Sequence, residues 1–272
     1  MGPKSFLLQP PRALSGCLFA AVVRDTRGIV LSDGDRLNHF PASPLVSVTC
    51  VIEGNIRLVP PGGGIEEVRA ATPLPRVSVM PPQATPVTSW SPGPVLAIAI
   101  GVYPDGWARL AESHDIPALL ERAFVDAKHV DAGWARFCTD MTPIWRSVRE
   151  AGTPPDWTGA PRLADWTRAL VARAALAGPG RSLRTLERRI RRWSGQTRQS
   201  LAFYAAFDDL HRLSVQKKDV PLAQLALDAG YSDQSHMGRA VRRATGFSAA
   251  RLNRLIETEE AFWCYRLLGE RF

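Results

Sequence analysis

Residues 220–254 decide the fold of the C-terminal part of the chain: VPLAQLALDAGYSDQSHMGRAVRRATGFSAARLNR. Apolar side chains recur at positions i, i+3, i+4 and i+7 of its first part, which predicts the buried face of a short helix. The residues of this face are Leu222, Leu225, Ala226 and Ala229. Gly230 follows, and glycine most readily takes the positive φ that ends a helix. Because Ser232 or Asp233 can cap a second helix, the stretch predicts two helices joined by a glycine turn.

The second of these helices carries an apolar stripe and a separate polar face. The stripe consists of Met237, Ala240, Val241 and Ala244. The polar and basic positions are Gln234, Ser235, His236, Arg239, Arg242 and Arg243. This arrangement follows the helix-turn-helix plan, whose second helix enters the major groove, where glutamine pairs with adenine and arginine with guanine. A helical hairpin with a solvated outer face is the alternative that this pattern alone leaves open.

A related unit precedes it at residues 181–195, RSLRTLERRIRRWSG. Ser182 can cap its helix, and the predicted buried face comprises Leu183, Leu186, Ile190 and Trp193. Five arginines occupy the other faces: Arg184, Arg188, Arg189, Arg191 and Arg192. Like charges at i, i+4 disfavour an isolated helix, so this density is expected where phosphates neutralise the arginines.

The two units share one layout. Each cap is followed 13 residues later by a glycine, Gly195 in the first unit and Gly246 in the second. A helix is predicted between them at residues 200–215, roughly 16 residues or ~24 Å long. With side-chain offsets, such a spacer can set two recognition helices near the ~34 Å separation of successive major-groove faces.

Charge and proline divide the chain at the same place. Residues 162–272 contain 20 Lys+Arg and 11 Asp+Glu, a net charge of +9, whereas residues 1–161 contain 14 and 15, a net charge of −1. Twenty of the 22 prolines precede Arg162. The basic excess in the C-terminal part favours a polyanionic partner there. We therefore predict a first domain at residues 1–150, a Pro/Gly-rich linker at 151–161 and a second domain at 162–272.

The first domain has the pattern of short strands followed by helices. Strands are predicted at residues 46–52, 56–59, 77–80, 85–90 and 95–102, with a hairpin at Glu53-Gly54-Asn55 between the first two. Many short strands favour a sandwich or small barrel. After Tyr103 the pattern is helical, and an apolar stripe comprises Trp134, Phe137, Met141, Ile144, Trp145 and Val148. Such a stripe serves either core packing or a homodimer seam.

Several classes of protein are disfavoured by the sequence. It contains no run of about 18 uncharged apolar residues and no signal-peptide pattern near Met1, so we expect neither a membrane span nor secretion. The cysteines Cys17, Cys50, Cys138 and Cys264 are scattered, as expected of reduced, mostly buried thiols in the cytoplasm.

The residues of both units resemble the DNA-binding domain of the AraC/XylS family of bacterial transcription regulators. In the first unit the likeness is carried by Ser182, Thr185, Leu186, Arg188 and Arg189. In the second it is carried by Leu222, Leu225, Ala226, Ala229-Gly230-Tyr231, Asp233-Gln234-Ser235-His236, Arg239, Arg242-Arg243, Thr245-Gly246 and Ser248. The resemblance covers residues 162–260, and the run AGYSDQSH is its most specific part.

The resemblance implies which residues contact DNA. In the first unit these are Arg184, Glu187 and Arg188, with Arg191 and Arg192 beyond them. In the second they are Gln234, Ser235, His236 and Arg239, followed by Arg242 and Arg243.

Three positions depart from the family pattern. Glu187 stands where a neutral polar residue is common, and would either accept from cytosine N4 or orient Arg191. The turn at residues 177–180 lacks the usual glycine layout, which leaves the first scaffold helix in question. Ala249 replaces a proline at the start of the final helix.

The first domain is similar to the cupin-like sensing domain of many members of the family. The likeness is carried by residues 44–54, by Gly93-Pro94 and by residues 101–107. It implies a small effector in an apolar pocket, for which Trp90, Tyr103 and Trp107 are the candidate lining residues.

The alternative is a metal-dependent cupin enzyme with an accessory helical domain. The five histidines form no His-x-His pair with a later Glu and His, so we expect no metal, no cofactor and no enzymatic activity. The predicted fold is therefore α+β: an N-terminal cupin-like β-barrel or sandwich with helices, and a C-terminal all-α double helix-turn-helix domain. The predicted partners are double-stranded DNA and a small effector, with RNA polymerase and a homodimer partner left open.

Overall fold

The computed structural model describes residues 2–125, 129–149, 159, 161–178, 182–217 and 220–269. Its first part contains eight strands in two antiparallel sheets. In chain order the strands are β1 (Lys4–Leu8), β2 (Leu18–Asp25), β3 (Leu37–Phe40), β4 (Val46–Glu53), β5 (Arg57–Leu58), β6 (Val77–Met80), β7 (Val87–Trp90) and β8 (Leu96–Val102). The larger sheet has the order β1-β2-β8-β4-β6, and the smaller one β3-β7-β5.

The register of the larger sheet brings distant parts of the chain together. Val22 of β2 lies opposite Ala99 of β8, and Val48 of β4 lies opposite Ile100 of β8. Strand β8 is therefore the centre of this sheet, and its side chains Ile98 and Ile100 are fully buried.

Four helices follow or interrupt the strands: α1 (Ile65–Ala70), α2 (Pro104–Ala111), α3 (Ile116–Phe124) and α4 (Val130–Val148). The predicted stripe of α4 is buried within the chain, where Trp134, Phe137, Met141 and Trp145 join the core formed with the larger sheet. The core-packing interpretation is thus confirmed, and the dimer-seam interpretation of this stripe is wrong. All four cysteines are also buried and unpaired, as predicted.

The predicted hairpin at Glu53-Gly54-Asn55 is wrong. Strand β4 pairs with β6 and β8, whereas β5 pairs with β7 in the other sheet. Gly54 has a φ of +84°, and it turns the chain from one sheet to the other. A turn of this kind has the composition of a hairpin turn, so the local sequence does not distinguish the two.

The C-terminal part is helical. Its elements are α5 (Leu163–Leu176), α6 (Leu183–Ser194), α7 (Arg198–Gln216), α8 (Leu222–Asp228), α9 (Gln234–Thr245), α10 (Ala249–Thr258), a 3-10 turn (Glu260–Phe262) and α11 (Trp263–Gly269). The predicted connecting helix is α7, which has 19 residues and so spans about 28 Å at 1.5 Å per residue. Among the described residues, every helix is too short or too polar to cross a bilayer.

The α+β fold class is therefore confirmed, with strands first and helix-turn-helix elements last. Most of the predicted linker, residues 151–158 and 160, lies outside the described residues, and the exact domain boundaries remain a prediction. Helix α10 begins at Ala249 directly after an extended Ser248, so the missing proline does not prevent that helix from starting.

The last helix packs on the sheets instead of ending the C-terminal part as a separate body. The indole Nε1 of Trp263 donates to Oδ1 of buried Asn38 in β3 (2.8 Å). Nη1 of Arg24 in β2 lies 2.5 Å from Oε1 of Glu260 in the 3-10 turn. These contacts fix the end of the chain against both sheets.

We expect Gly54→Ala to be strongly destabilising. Its φ is positive, and an added Cβ would meet the backbone oxygen of Pro94 and the Cα of Val95. The free energy of unfolding should fall by about 3 kcal/mol or more, measured by chemical denaturation. The control is Gly28→Ala, which has φ +71° but no heavy atom within 4 Å of the added Cβ. It should cost only about 1–2 kcal/mol. Equal losses in the two variants would contradict the assigned turn.

Candidate DNA interface

The C-terminal part contains two helix-turn-helix units, each with a left-handed glycine after its first helix. The first consists of α5 and α6, and the second of α8 and α9. After α5 the chain passes through Ala177 and Gly178 (φ +83°), and after α8 through Ala229 and Gly230 (φ +81°). The first scaffold helix, which the unusual layout of residues 177–180 left in question, is present as α5. Three residues separate Gly178 from Ser182, whereas two separate Gly230 from Asp233.

Both recognition helices begin and end in the same way. Helix α6 is capped by Ser182, whose Oγ accepts from the backbone N–H of Thr185 (3.2 Å). Helix α9 is capped by Asp233, whose Oδ1 accepts from the backbone N–H of His236 (2.7 Å). Each helix has 12 residues and ends at a left-handed glycine. The predicted N-caps are therefore confirmed, with Asp233 rather than Ser232 capping the second helix.

The buried faces of the two helices also correspond. Ile190 of α6 and Val241 of α9 are buried, and each accepts, through its carbonyl, the hydroxyl of the residue four positions later at 2.8 Å. These hydroxyls belong to Ser194 and Thr245. One predicted member of the buried face departs from the pattern: Leu183 is 74% exposed at the first position of α6.

The predicted DNA-contacting side chains lie on the opposite, solvent-facing side. Those of α6 that are exposed are Arg184, Arg188, Arg191 and Arg192. Those of α9 that are exposed are Gln234, Ser235, His236, Arg239, Arg242 and Arg243. Because these side chains are exposed, they remain available to a ligand.

Glu187 differs from the other predicted contacts because it is half-buried and paired. Its carboxylate lies 3.3 Å from Nε of Arg198 and accepts from the backbone N–H of the same residue (3.4 Å). It thus ties α6 to the start of α7. The alternatives in which Glu187 accepts from cytosine N4 or orients Arg191 stay predictions.

Two arginines of these helices contact neighbouring elements. Nη1 of Arg189 donates to the carbonyl of Ala174 (3.0 Å), which joins α6 to α5. The guanidinium of Arg243 lies 4.1 Å from the ring centroid of Phe203 in α7, a cation–π contact. Arg243 therefore has a packing contact as well as an exposed surface.

The N-terminal domain contacts both units away from their first turns. The backbone N–H of Ala42 donates to the carbonyl of Ala244 at the end of α9 (2.8 Å). Nη2 of Arg173 in α5 pairs with Oδ2 of Asp105 in α2 (2.6 Å). The segment after β3 thus contacts the end of α9, and α2 contacts α5.

A second feature is an apolar cavity between the sheets and the helical part. It has a volume of about 220 Å³, and its wall is formed by both sheets together with α7 and α11. Apolar residues of its lining include Phe19, Val22, Met80, Phe207 and Leu268.

The predicted effector residues do not line this cavity. The Nε1 of Trp90 donates to the carbonyl of Asp33 (3.3 Å). Tyr103 is fully buried, donates to the carbonyl of Pro161 (2.7 Å) and stacks on Trp166. Trp107 packs against the core of the larger sheet. The aromatic character of these residues serves packing, and the cavity wall comes from segments that are distant in sequence.

The cavity contains buried polar groups whose hydrogen-bonding capacity is not used within the described residues. Arg24 is 4% exposed, and its Nη1 donates to Ser5 and Glu260, while its Nε and Nη2 have no protein acceptor in this part of the chain. Burial lowers the pKa of this guanidinium. The hydroxyls of Ser91 and Tyr265, which also line the cavity, are likewise without a partner among the described residues.

Metal ligands are not gathered in the region that the structure covers. Within residues 2–125, 129–149, 159, 161–178, 182–217 and 220–269, no three His, Cys, Asp or Glu side chains lie close enough to hold an ion together. His39, in β3, instead contacts Thr88 through Nδ1 (2.9 Å) and packs against Phe262.

We predict that Asp233→Ala lowers the stability of the chain at pH 7. The amide of His236 lowers the pKa of Asp233, because the bond favours the charged carboxylate. A depressed pKa in the folded state gives stabilisation that is present above the ordinary value of 3.8 and lost as the pH falls through the lower folded value. The difference in denaturation midpoint between wild type and variant should therefore shrink below that pH. Asp233→Asn, which keeps an acceptor oxygen, is the control and should retain most of the stability at pH 7.

Comparisons with known proteins agree with the helical part of this description. Residues 177–254 match the family model described as a helix-turn-helix domain. A search of curated proteins finds no significant match. Among solved structures, ToxT from Vibrio cholerae (P21 form) is 7% identical, with 92% of this chain and 97% of that chain covered and a TM-score of 0.39. ToxT from strain O395 is also 7% identical, with 94% and 99% covered and a TM-score of 0.40.

A third structure, unsaturated fatty acid bound wild-type ToxT from strain SCE256, is 9% identical, with 93% and 94% covered and a TM-score of 0.37. At identities and TM-scores this low, what ToxT binds is not transferred to this chain. The matched residues 177–254 include α6, α7, α8 and α9 with the N-caps Ser182 and Asp233. Residues 177–254 of this chain therefore form a helix-turn-helix domain.

Proposed function

We propose that the chain is a sequence-specific regulator of transcription that binds double-stranded DNA through α6 and α9. The observation that carries this proposal is the repeated presentation of exposed arginine and polar side chains on two identically capped helices. A single basic helix is also expected where charged side chains only face solvent. Two helices that each have a side-chain N-cap, a buried face and a terminal left-handed glycine suit two neighbouring sites on one duplex.

The exposed residues divide into two roles in this proposal. Gln234, Ser235, His236 and Arg239 of α9, and Arg184 and Arg188 of α6, read base edges or position the helices there. Arg191, Arg192, Arg242 and Arg243 lie in the last turns of the two helices and contact phosphates. Glu187 acts on DNA only indirectly, because its carboxylate is engaged by Arg198.

The first test concerns Arg239. We expect Arg239→Ala to weaken binding to a cognate site by about 1–3 kcal/mol and to relax selection at one base position. The measurement is a titration of the full chain against the cognate duplex and a scrambled duplex at one fixed salt concentration. A phosphate or non-specific role would instead give equal losses on both duplexes.

The matched control is Arg136→Ala. Arg136 is also an exposed arginine, but it lies on α4 of the N-terminal domain. This variant removes the same formal charge and should leave affinity and selectivity at wild-type values. An effect equal to that of Arg239→Ala would show that net charge, not the helix face, governs binding.

The cavity supports ligand control of this binding. Its wall combines residues of both sheets with Phe207 and His211 of α7, the helix that joins the two units. A ligand can shift a conformational equilibrium only if it binds the two states with different affinity. A molecule in this cavity would contact both the sheets and α7, so any movement between them changes its contacts.

The ligand class is proposed from Arg24. Two nitrogens of a buried guanidinium, Nε and Nη2, lack a protein acceptor among the described residues, and leaving such donors unpaired is costly. A carboxylate matches guanidinium geometry with two parallel hydrogen bonds. We therefore propose an effector with a mainly apolar body and a carboxylate that meets Arg24.

We expect monocarboxylates to stabilise the chain more than the matching alcohols. The probes are decanoate against decanol and phenylbutyrate against phenylbutanol, and the measurement is the ligand-dependent rise in Tm. Arg24→Met should abolish the advantage of the carboxylate. Equal shifts from acid and alcohol would refute the anionic ligand, and no shift from any probe would count against the cavity as an effector site.

Two further variants separate binding from folding. Arg27→Met alters an exposed arginine of the same region that pairs with Asp25 and Glu53 and does not line the cavity, so the carboxylate advantage should remain. Arg24→Lys keeps a charge opposite Glu260 and should fold while binding carboxylates more weakly, because lysine cannot donate bidentately.

The rival function is a metal-dependent enzyme. Stoichiometric iron or zinc in the purified chain would favour it over the regulator. RNA polymerase contact, a homodimeric state and a cytoplasmic location remain predictions that follow from the proposed regulatory role.

A further inference from the structure

The correspondence between the two units places Leu183 where α9 has Gln234. Ser182 and Asp233 are the N-caps, and each accepts from the amide of the third residue after it. Both helices then run for 12 residues to a left-handed glycine. Counting from either end, Leu183 and Gln234 are the first residues of α6 and α9.

Leu183 is unusual for its chemistry at this place. It is 74% exposed, although leucine is among the residues most often buried. The next residue is Arg184, and Arg188 follows one turn later, so an apolar side chain lies at the start of an exposed basic surface. A single exposed leucine is common on protein surfaces. Leu183, however, lies in the first turn of a proposed recognition helix, where side chains contact base edges.

Resting on the proposed DNA-binding function, we infer that Leu183 is a specificity residue that contacts the 5-methyl group of a thymine. The N-terminal residues of a recognition helix are those that reach base edges. Leucine has no side-chain hydrogen-bonding group, and the apolar feature of the major groove is the thymine methyl. Gln234 at the same position of α9 can pair with adenine instead. The two units therefore read different bases with equivalent positions.

This assignment has a consequence for the shape of the operator. Equivalent positions on two similar helices would favour two like half-sites if their residues were alike. With leucine in one and glutamine in the other, the half-site of α6 selects thymine where that of α9 selects adenine. The two half-sites are thus distinguishable, and the chain has a defined orientation on the duplex.

The test begins with selection of duplexes from a random pool by the full chain. Each thymine of the enriched motif is then replaced in turn by deoxyuridine, which removes only the 5-methyl group. At one thymine in the α6 half-site, wild type should lose about fourfold in affinity, the amount expected for one methyl-sized group. Leu183→Ala should bind the thymine and deoxyuridine duplexes equally well.

Two controls make the result specific. Leu176→Ala removes another leucine, 85% exposed at the end of α5, and should keep the full response to deoxyuridine. Gln234→Ala should relax selection in the α9 half-site and leave the α6 response unchanged. Because Leu183 is exposed, its variant should unfold at the wild-type temperature.

The outcomes separate the two proposals. An enriched motif with the same deoxyuridine response in wild type and Leu183→Ala overturns the role of Leu183 and leaves the regulator proposal intact. Failure to enrich any motif overturns sequence-specific binding itself, and the role of Leu183 with it. Loss of DNA binding in Leu183→Ala regardless of the base would likewise refute methyl recognition.

Discussion

A recognition helix can read bases only if one face is fixed by packing while its first turn stays open to solvent. In α6 and α9 the same interactions meet this constraint. A buried β-branched residue, Ile190 or Val241, anchors each helix, and a hydroxyl one turn later bonds back to its carbonyl. In each helix the cap residue accepts from one backbone N–H of the first turn. The first-turn side chains are then directed outward by the geometry of the helix, and every DNA contact proposed above depends on that arrangement.

The helical part could be predicted because its determinants are local. A 3.6-residue apolar period, a cap and a glycine all lie within about 15 residues, so spacing alone indicates them. The error at Leu183 arises from the same rule. At the first position of a helix, the 3.6-residue apolar period still assigns a residue to the buried face. No preceding helical turn packs beside that residue, so it can remain exposed. The period correctly predicts the burial of Ile190 in the middle of α6 and wrongly predicts that of Leu183 at its first position.

The rest of the structure depends on contacts between distant segments. The residues around Gly54 do not determine whether β5 pairs with β4 or with β7. The pairing is decided by Trp90 of β7, which lies more than 30 residues later and pairs with Arg57. The cavity presents the same difficulty. Its wall joins strands near the start of the chain to α7 and α11, so no local motif marks its residues. Aromatic content led instead to Trp90, Tyr103 and Trp107, which are structural.

Arg24 connects this cavity to Glu260, near the end of the chain, and it could exchange Glu260 for a ligand carboxylate. Its Nη1 holds Glu260, and Glu260 is also held by Nη2 of Arg266 at 3.1 Å. If a ligand carboxylate drew the guanidinium of Arg24 away, Glu260 would keep a cationic partner. Glu260, whose side chain is half-buried, would therefore not be left without a cationic partner. The exchange would break the ion pair between β2 and the 3-10 turn. Helix α11 follows this turn, and its Trp263 donates a hydrogen bond to Asn38 of β3. Helices α11 and α7 both form the cavity wall. The exchange would therefore change how the two DNA-binding units pack on the sheets.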